Sequence, residues 1–195
     1  MSIWKKHMLR YGPDKSVSAL IFVKCAPDGK GNVVEFYRRI ADGSLVLDLT
    51  ADAFIGRNGL GKTREGDGKT PVGDFGAVTA FGILPDPGTE LPFLAITPNT
   101  YACDEDCPHY NRIVDSALTG HCCKGEHMID IVPAYNYGIA LDYNSENVYP
   151  LGSAIFFHCK GTKKSTAGCV AVDETIMKHI LQTCGPSPRI CIGLL

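Results

Sequence analysis

Residues 152–174 read G-S-A-I-F-F-H-C-K-G-T-K-K-S-T-A-G-C-V-A-V-D-E. The run Ala154-Ile155-Phe156-Phe157 is apolar without interruption, the pattern of a strand buried on both faces. It ends on His158. A polar, lysine-rich loop follows, and the chain returns through Thr166-Ala167-Gly168-Cys169 into the short apolar run Val170-Ala171-Val172. His158 and Cys169 are eleven positions apart. A hairpin-like return over that offset brings the imidazole beside the thiol.

Immediately downstream one helix is predicted. Asp173 can cap it and Glu174 complements the positive end of its dipole. Ile176, Met177, Ile180, Leu181 and Cys184 recur at helical spacing, Gly185 ends the helix and Pro186 prevents its continuation. Elsewhere the 21 glycines and 12 prolines punctuate short apolar segments, as in a β-rich domain. Strands are expected over 17–24, 33–39, 44–49, 73–80, 137–143, 153–159, 169–172 and 189–192, with a turn from Gly29 to Asn32. Val33-Val34-Glu35-Phe36-Tyr37 carries the β-branched and aromatic residues that suit a pleated surface. The stretch 97–133 has weak periodicity and reads as irregular structure with one short helix at most, a wall or lid over a site.

The His158/Cys169 pair carries the chemistry. A free thiol is only a few per cent thiolate at neutral pH, so a neighbouring imidazole must take its proton and later return one to a leaving amine. Gly168 removes bulk before the thiol, and its N–H, with that of Cys169, can face a developing oxyanion. On spacing alone, a buried structural cysteine beside a satisfied histidine competes with this reading.

The stretch resembles the catalytic domain of the L,D-transpeptidase (YkuD-like) family, in which a strand histidine precedes a nucleophilic cysteine in an S/T-x-G-C turn. A second block agrees: G-R-N-G-L-G-K-T-R-E-G-D-G-K-T-P-V-G-D-F, residues 56–75, is similar to the family's segment built around G-D-x-x-T-P-x-G-x-F. Glu126-His127, Tyr143-Asn144 and Gly152-Ser153-Ala154-Ile155-Phe156 extend the likeness over roughly residues 17–193. The resemblance implies a mostly β domain over 17–195, a sandwich or mixed sheet with one or two short helices, after an N-terminal extension over 1–16. It implies Cys169 as nucleophile, His158 as general base and acid, oriented by a nearby backbone carbonyl, and Gly168 as a backbone oxyanion donor. Thr166, Lys62, Arg64, His127 and Tyr135 become candidate substrate contacts. Two departures bear on substrate recognition: Ala167 replaces the histidine of the common S-H-G-C, and Ala171 stands where many members carry Arg or Asn.

The implied reaction is acyl transfer on peptidoglycan stem peptides, releasing a terminal D-Ala through a Cys169 thioester, with no metal and no organic cofactor. An L,D-carboxypeptidase or other cysteine peptide hydrolase is the alternative within the same chemistry, and a non-catalytic wall-binding domain the alternative outside it. Such a substrate implies an extracytoplasmic place of action. Met1 to Ser16 lacks the apolar core of a signal peptide, so a cytoplasmic role stands beside it.

Other features point elsewhere and are weaker. Gly56-Arg57-Asn58-Gly59-Leu60-Gly61-Lys62-Thr63 formally matches a phosphate-binding loop, but Gly66, Gly68, Pro71 and Gly73 follow where a helix must start. No nucleotide is expected. Nine cysteines leave at least one unpaired within the chain; Cys159, Cys184 and Cys191 sit in apolar surroundings as small buried hydrophobes. Cys103, Cys107 and His109, with His121, Cys122 and Cys123, crowd soft ligands together; free thiols, a disulfide and zinc all fit, though the spacing is not that of a usual zinc knuckle. A formal charge of −2 leaves no basic excess for nucleic acid. No apolar run approaches the roughly 20 residues that span a bilayer.

Overall fold

Strand alternation shows which side chains face which core. In the computed structural model, which describes residues 2–27, 31–120 and 125–195, the chain runs through α1 (Ile3–Tyr11), β1 (Ala19–Cys25), β2 (Asn32–Arg39), β3 (Leu45–Ala53), β4 (Gly73–Gly82), β5 (Phe93–Ala95), β6 (Thr100–Ala102), β7 (Ile113–Asp115), α2 (Ser116–Thr119), β8 (Glu126–His127), β9 (Gly138–Leu141), β10 (Phe156–Cys159), β11 (Val170–Val172), α3 (Glu174–Thr183) and β12 (Pro188–Leu194). Each of the eight expected strands has a counterpart. The expected turn at Gly29 to Asn32 falls partly outside the described residues.

The main sheet is mixed, in the order β11-β10-β9-β4-β12-β1-β2-β3, with β5 beside β4. β1–β12, β10–β11 and β4–β5 are parallel, and the other pairs antiparallel. Its ends meet. Phe54 N–H donates to the Ala171 carbonyl (2.8 Å), and Ala171 N–H donates to that of Phe54 (2.9 Å). The sheet therefore nearly closes on itself, which removes the unpaired edge that a flat sheet would expose.

The period of two sorts side chains into separate cores. Ala19, Ile21 and Val23 of β1 join Val34, Phe36, Phe157, Val170 and the α3 residues Met177, Ile180 and Leu181 in the central core. The alternate residues Leu20 and Phe22 face outward, where Tyr11, Trp4 and Met8 of α1 cover them. This helix was not anticipated. Its stripe is only Trp4, Met8 and Tyr11, spaced i, i+4, i+7, with the Ser2 hydroxyl accepting from Lys5 N–H.

Helix α3 forms as expected, and Gly185 beyond it takes a left-handed φ of 68°. Its start differs. Asp173 occupies the cap position but makes no capping bond, because its carboxylate goes to Lys160 Nζ (3.2 Å). The stretch 97–133 is more ordered than its periodicity suggested. β6, β7 and β8 build a small second sheet, and α2 supplies the short helix. Such short strands owe their existence to pairing rather than to local pattern.

Candidate active site

β10 and β11 do not form the hairpin that the spacing suggests. They run parallel, with Phe157 opposite Val170 and His158 opposite Ala171. The intervening loop crosses to the 54–57 edge, where Thr166 N–H donates to the Ile55 carbonyl (2.9 Å) and Arg57 N–H to that of Thr166 (3.0 Å). The loop then re-enters the sheet in the original direction. Both side chains still reach one face, because 156 and 158 on β10 and 169 and 171 on the neighbouring chain share parity. Phe157 and Val170 point into the central core, while Phe156 and Cys169 join Tyr135, Met128 and Phe81 on the opposite side. His158 and Cys169 line a single cavity of about 370 Å³.

The turn before the thiol is held by hydroxyls. Thr166 Oγ1 donates to the Cys169 carbonyl (2.6 Å) and accepts the Gly168 N–H (3.1 Å). Thr70 Oγ1 lies 3.4 Å from the same carbonyl and accepts the Gly56 N–H at 2.8 Å. The block at 56–75 thus rests directly on the turn before Cys169, which brings together two stretches about a hundred residues apart in sequence. Space is tight at Gly168, since a Cβ there would lie 3.0 Å from the Lys69 carbonyl and 3.2 Å from Ile155 Cδ1. Its amide is not free, however. The expected oxyanion donor is occupied by Thr166, and among the described residues the Cys169 N–H is the one of the two without a partner.

Cys169 is 9% exposed. Its thiol donates to the Ala154 carbonyl (3.2 Å), and its sulfur accepts the Phe156 N–H (3.3 Å). Ala154 adopts φ 50°, a conformation costly for a residue with a Cβ, and Asn111 Oδ1 holds it by accepting its N–H at 3.0 Å. Burial pushes the thiol up to about 12, with Glu126 adding to the rise and the Phe156 amide and Lys62 opposing it. The resting group is therefore the thiol.

His158 has the complementary bias. Nδ1 sits 2.7 Å from the Cys159 carbonyl, which can only accept, so in the neutral ring Nδ1 bears the proton and Nε2 the lone pair. Burial lowers the ring to about 4, partly opposed by the Cys159 and Ala134 carbonyls. No hydrogen bond joins ring and thiol in this state. A neutral base and a neutral thiol on one cavity wall can perform concerted proton removal and attack, once the thiol leaves the Ala154 carbonyl.

The remaining candidates divide. Thr166 and Tyr135 line the cavity. Lys62 lies behind the turn, its side chain 2% exposed and its ammonium 3.2 Å from Asp67 Oδ1. It acts on the thiol through its charge rather than from the cavity wall. Arg64 is exposed and meets Asp67 through its backbone N–H (3.2 Å). His127 faces away, with Nδ1 2.7 Å from Asp130, Nε2 2.7 Å from the Pro98 carbonyl, and its ring stacked on Tyr101. Neither Arg64 nor His127 reaches the cavity. Residues 56–63 form no helix and build no phosphate cradle. Arg57, Lys163 and Glu126 line the cavity without having been singled out as contacts. Glu126 was visible only as half of the Glu126-His127 pair, and of the two it is Glu126 that turns inward.

Cys103 and Cys107 bring their sulfurs to 3.4 Å. Their proposed companions His121, Cys122 and Cys123 lie outside the described residues. Among the described residues, ligand atoms also converge at His7, Asp74 and Cys191 beneath α1. There Asp74 already accepts from the Tyr11 hydroxyl and from Arg189 Nε (2.9 Å), so two cationic or acidic hydrogens occupy the place of an ion. No described helix is long and apolar enough to cross a membrane.

Comparison with protein-family models and with curated proteins gives no match. Among solved structures the fold is similar to the helical cell shape determining protein Pgp2 from Campylobacter jejuni, at 18% identity over 97% of this chain and 55% of that one, TM-score 0.46. It is also similar to an L,D-transpeptidase from Mycobacterium smegmatis, at 13% identity over 91% and 59% of the two chains, TM-score 0.41. A third, L,D-transpeptidase 1 from Mycobacterium tuberculosis, shares 14% identity over 90% and 63%, TM-score 0.36. The chain spans somewhat more than half the length of each. At such values the chemistry has to be read from the side chains themselves.

Proposed function

We propose that this chain is a cysteine-dependent acyl transferase acting on peptidoglycan stem peptides, by L,D-transpeptidation. The observation that carries the reading is the convergence of the 56–75 block and the T-x-G-C turn on Cys169, in a cavity that also holds a correctly tautomeric His158. The activity is assigned to residues 17–195, with residues 1–16 as an extension, and to an extracytoplasmic site because its substrate lies there.

His158 Nε2 removes the Cys169 proton as sulfur attacks the carbonyl between the third and fourth stem residues. The Cys169 amide faces the oxyanion. The protonated ring then delivers its proton to the departing D-Ala amine, leaving a thioester. A side-chain amine of a second stem attacks that thioester and forms the cross-link; water in its place gives carboxypeptidase trimming. Arg57 and Lys163 on the cavity wall are suited to substrate carboxylates.

Intact mass after incubation with a carbapenem tests the thiol. Wild type is expected to gain one adduct and Cys169→Ala none. An unmodified wild type overturns the reading. Analysis of muropeptide products then separates cross-linked dimer from trimmed tripeptide.

A further inference from the structure

Glu126 is a carboxylate on the wall of the Cys169 cavity whose one hydrogen bond among the described residues comes from the Tyr135 hydroxyl at 2.5 Å. No lysine, arginine or histidine among the described residues forms an ion pair with it, unlike Glu35, Asp48, Asp67 and Asp74. The charges that act on it are of its own sign, Asp104 and Glu65. Burial, reinforced by those two, raises its proton affinity despite the Tyr135 bond. Arg57 and Lys163 line the same cavity without pairing with it. A desolvated carboxylate without a counterion is costly, and the cost is recovered when a cation enters.

We propose that Glu126 is the receptor for the acceptor amine: it binds the incoming ammonium beside the thioester and takes one proton from it. This rests on the acyl-transfer reading above. It names a selection that Cys169 and His158 do not provide, since an amine reaches a neutral-pH site as an ammonium with no lone pair to attack. In balance, the ammonium transfers a proton to the Glu126 carboxylate and becomes a free amine. Its nitrogen bonds to the thioester carbonyl and gives its surplus proton to His158 Nε2. As the carbon–sulfur bond breaks, that proton passes from His158 to Cys169 sulfur. The proton on Glu126 returns to water through the cavity mouth. The net change is ammonium plus thioester giving amide, thiol and one proton.

The test uses the full chain, a disaccharide tetrapeptide as donor, and partition of the acyl-enzyme between acceptor and water. Three acceptors are compared: a stem peptide with a free side-chain amine, the same peptide N-acetylated, and hydroxylamine, which is uncharged at neutral pH. Glu126→Gln is expected to lower the amine-to-water ratio about tenfold or more, the weight of a lost charged hydrogen bond, and Glu126→Asp to restore part of it. The hydroxylamine-to-water ratio is expected to stay within about twofold of wild type. An equal fall for both nucleophiles assigns Glu126 to positioning Tyr135 and overturns the proposal, as does no fall for either. If the variants do not fold, wild type supplies the answer. A trimethylated acceptor should inhibit aminolysis but not hydroxylaminolysis, and failure to compete overturns it. Failure of the parent reading looks different, because wild type then forms no carbapenem adduct.

Discussion

Among the described residues, a cysteine, a histidine and a carboxylate come together at two places. In the cavity these are Cys169, His158 and Glu126; beneath α1 they are Cys191, His7 and Asp74. The functional groups are the same and the two settings differ in what is left unsatisfied. Asp74 accepts from Tyr11 and Arg189 and lies near Arg10 and His7, and α1 covers the group, leaving Cys191 fully buried. In the cavity, among the described residues, no donor is bonded to the Nε2 lone pair of His158, no cation pairs with Glu126, and both side chains line the open space. On the proposed reading, reactivity follows from vacancy and access. The same three groups, fully paired, hold a helix to a sheet.

The two cysteines give the largest contrast. Cys169→Ala should abolish both D-Ala release and the carbapenem adduct, since among the described residues no other cysteine lines one of the cavities beside a histidine. Cys191→Ala should keep both and cost about 1 kcal/mol of stability, as expected for a small buried side chain. Denaturant melts and intact mass on the same preparations read the two outcomes. An adduct persisting in Cys169→Ala would erase the distinction between the sites.

The histidines come next. His158→Gln should lower acyl transfer about 100-fold or more, the usual weight of a general base, and His7→Gln should leave it unchanged. Their pH behaviour separates too. His158 is held neutral when folded and titrates near 4, against 6.5 when unfolded. The unfolded state therefore binds more protons in between, and stability falls as pH drops from 6.5 towards 4. The loss is of order 3 kcal/mol, to be seen as a shift of the denaturation midpoint that His158→Gln flattens.

A smaller effect is expected at the turn. Thr166→Val removes the donor to the Cys169 carbonyl and strands the Gly168 amide, for about 1–2 kcal/mol of stability. The adduct should still form, more slowly, because Thr70 still reaches that carbonyl. Stopped-flow acylation and a thermal melt measure both. A rate equal to wild type would mean that the hydroxyl does not orient the thiol.

Much of this was legible from residue order. Alternation in Val33 to Tyr37, the unbroken run before His158 and the spacing of Ile176 to Leu181 are local patterns, and local patterns survive folding. The sense of the 160–168 crossing was not, because a hairpin and a parallel crossing can both bring His158 and Cys169 onto one face. Closure through Phe54 and Ala171 depends on segments more than a hundred residues apart in sequence. Two turns of helix marked by Trp4, Met8 and Tyr11 give too short a stripe to stand out. Gly168 shows a further limit: its small size was readable, but whether its amide was already spoken for depended on the rotamer of Thr166. Glu126 and His127 are neighbours in sequence, and only the strand pleat decides that one faces the cavity and the other faces out.

His127 supplies the smallest effect and the sharpest control. Like His7, it sits beside a carboxylate, with Asp130 on Nδ1 and the Pro98 carbonyl on Nε2. Its proton affinity is raised, first by the Pro98 carbonyl and then by Asp130. What it contributes is present below 6.5 and lost as pH rises through its folded value. Both nitrogens are taken, so the ring has no lone pair for catalysis and no donor for substrate. His127→Ala should leave D-Ala release, adduct formation and the amine-to-water ratio within about twofold of wild type, because surface ion pairs are weak and salt-screened. If the ratio instead fell as in Glu126→Gln, the Glu126-His127 pair would act as one unit, and facing the cavity would no longer separate working residues from satisfied ones.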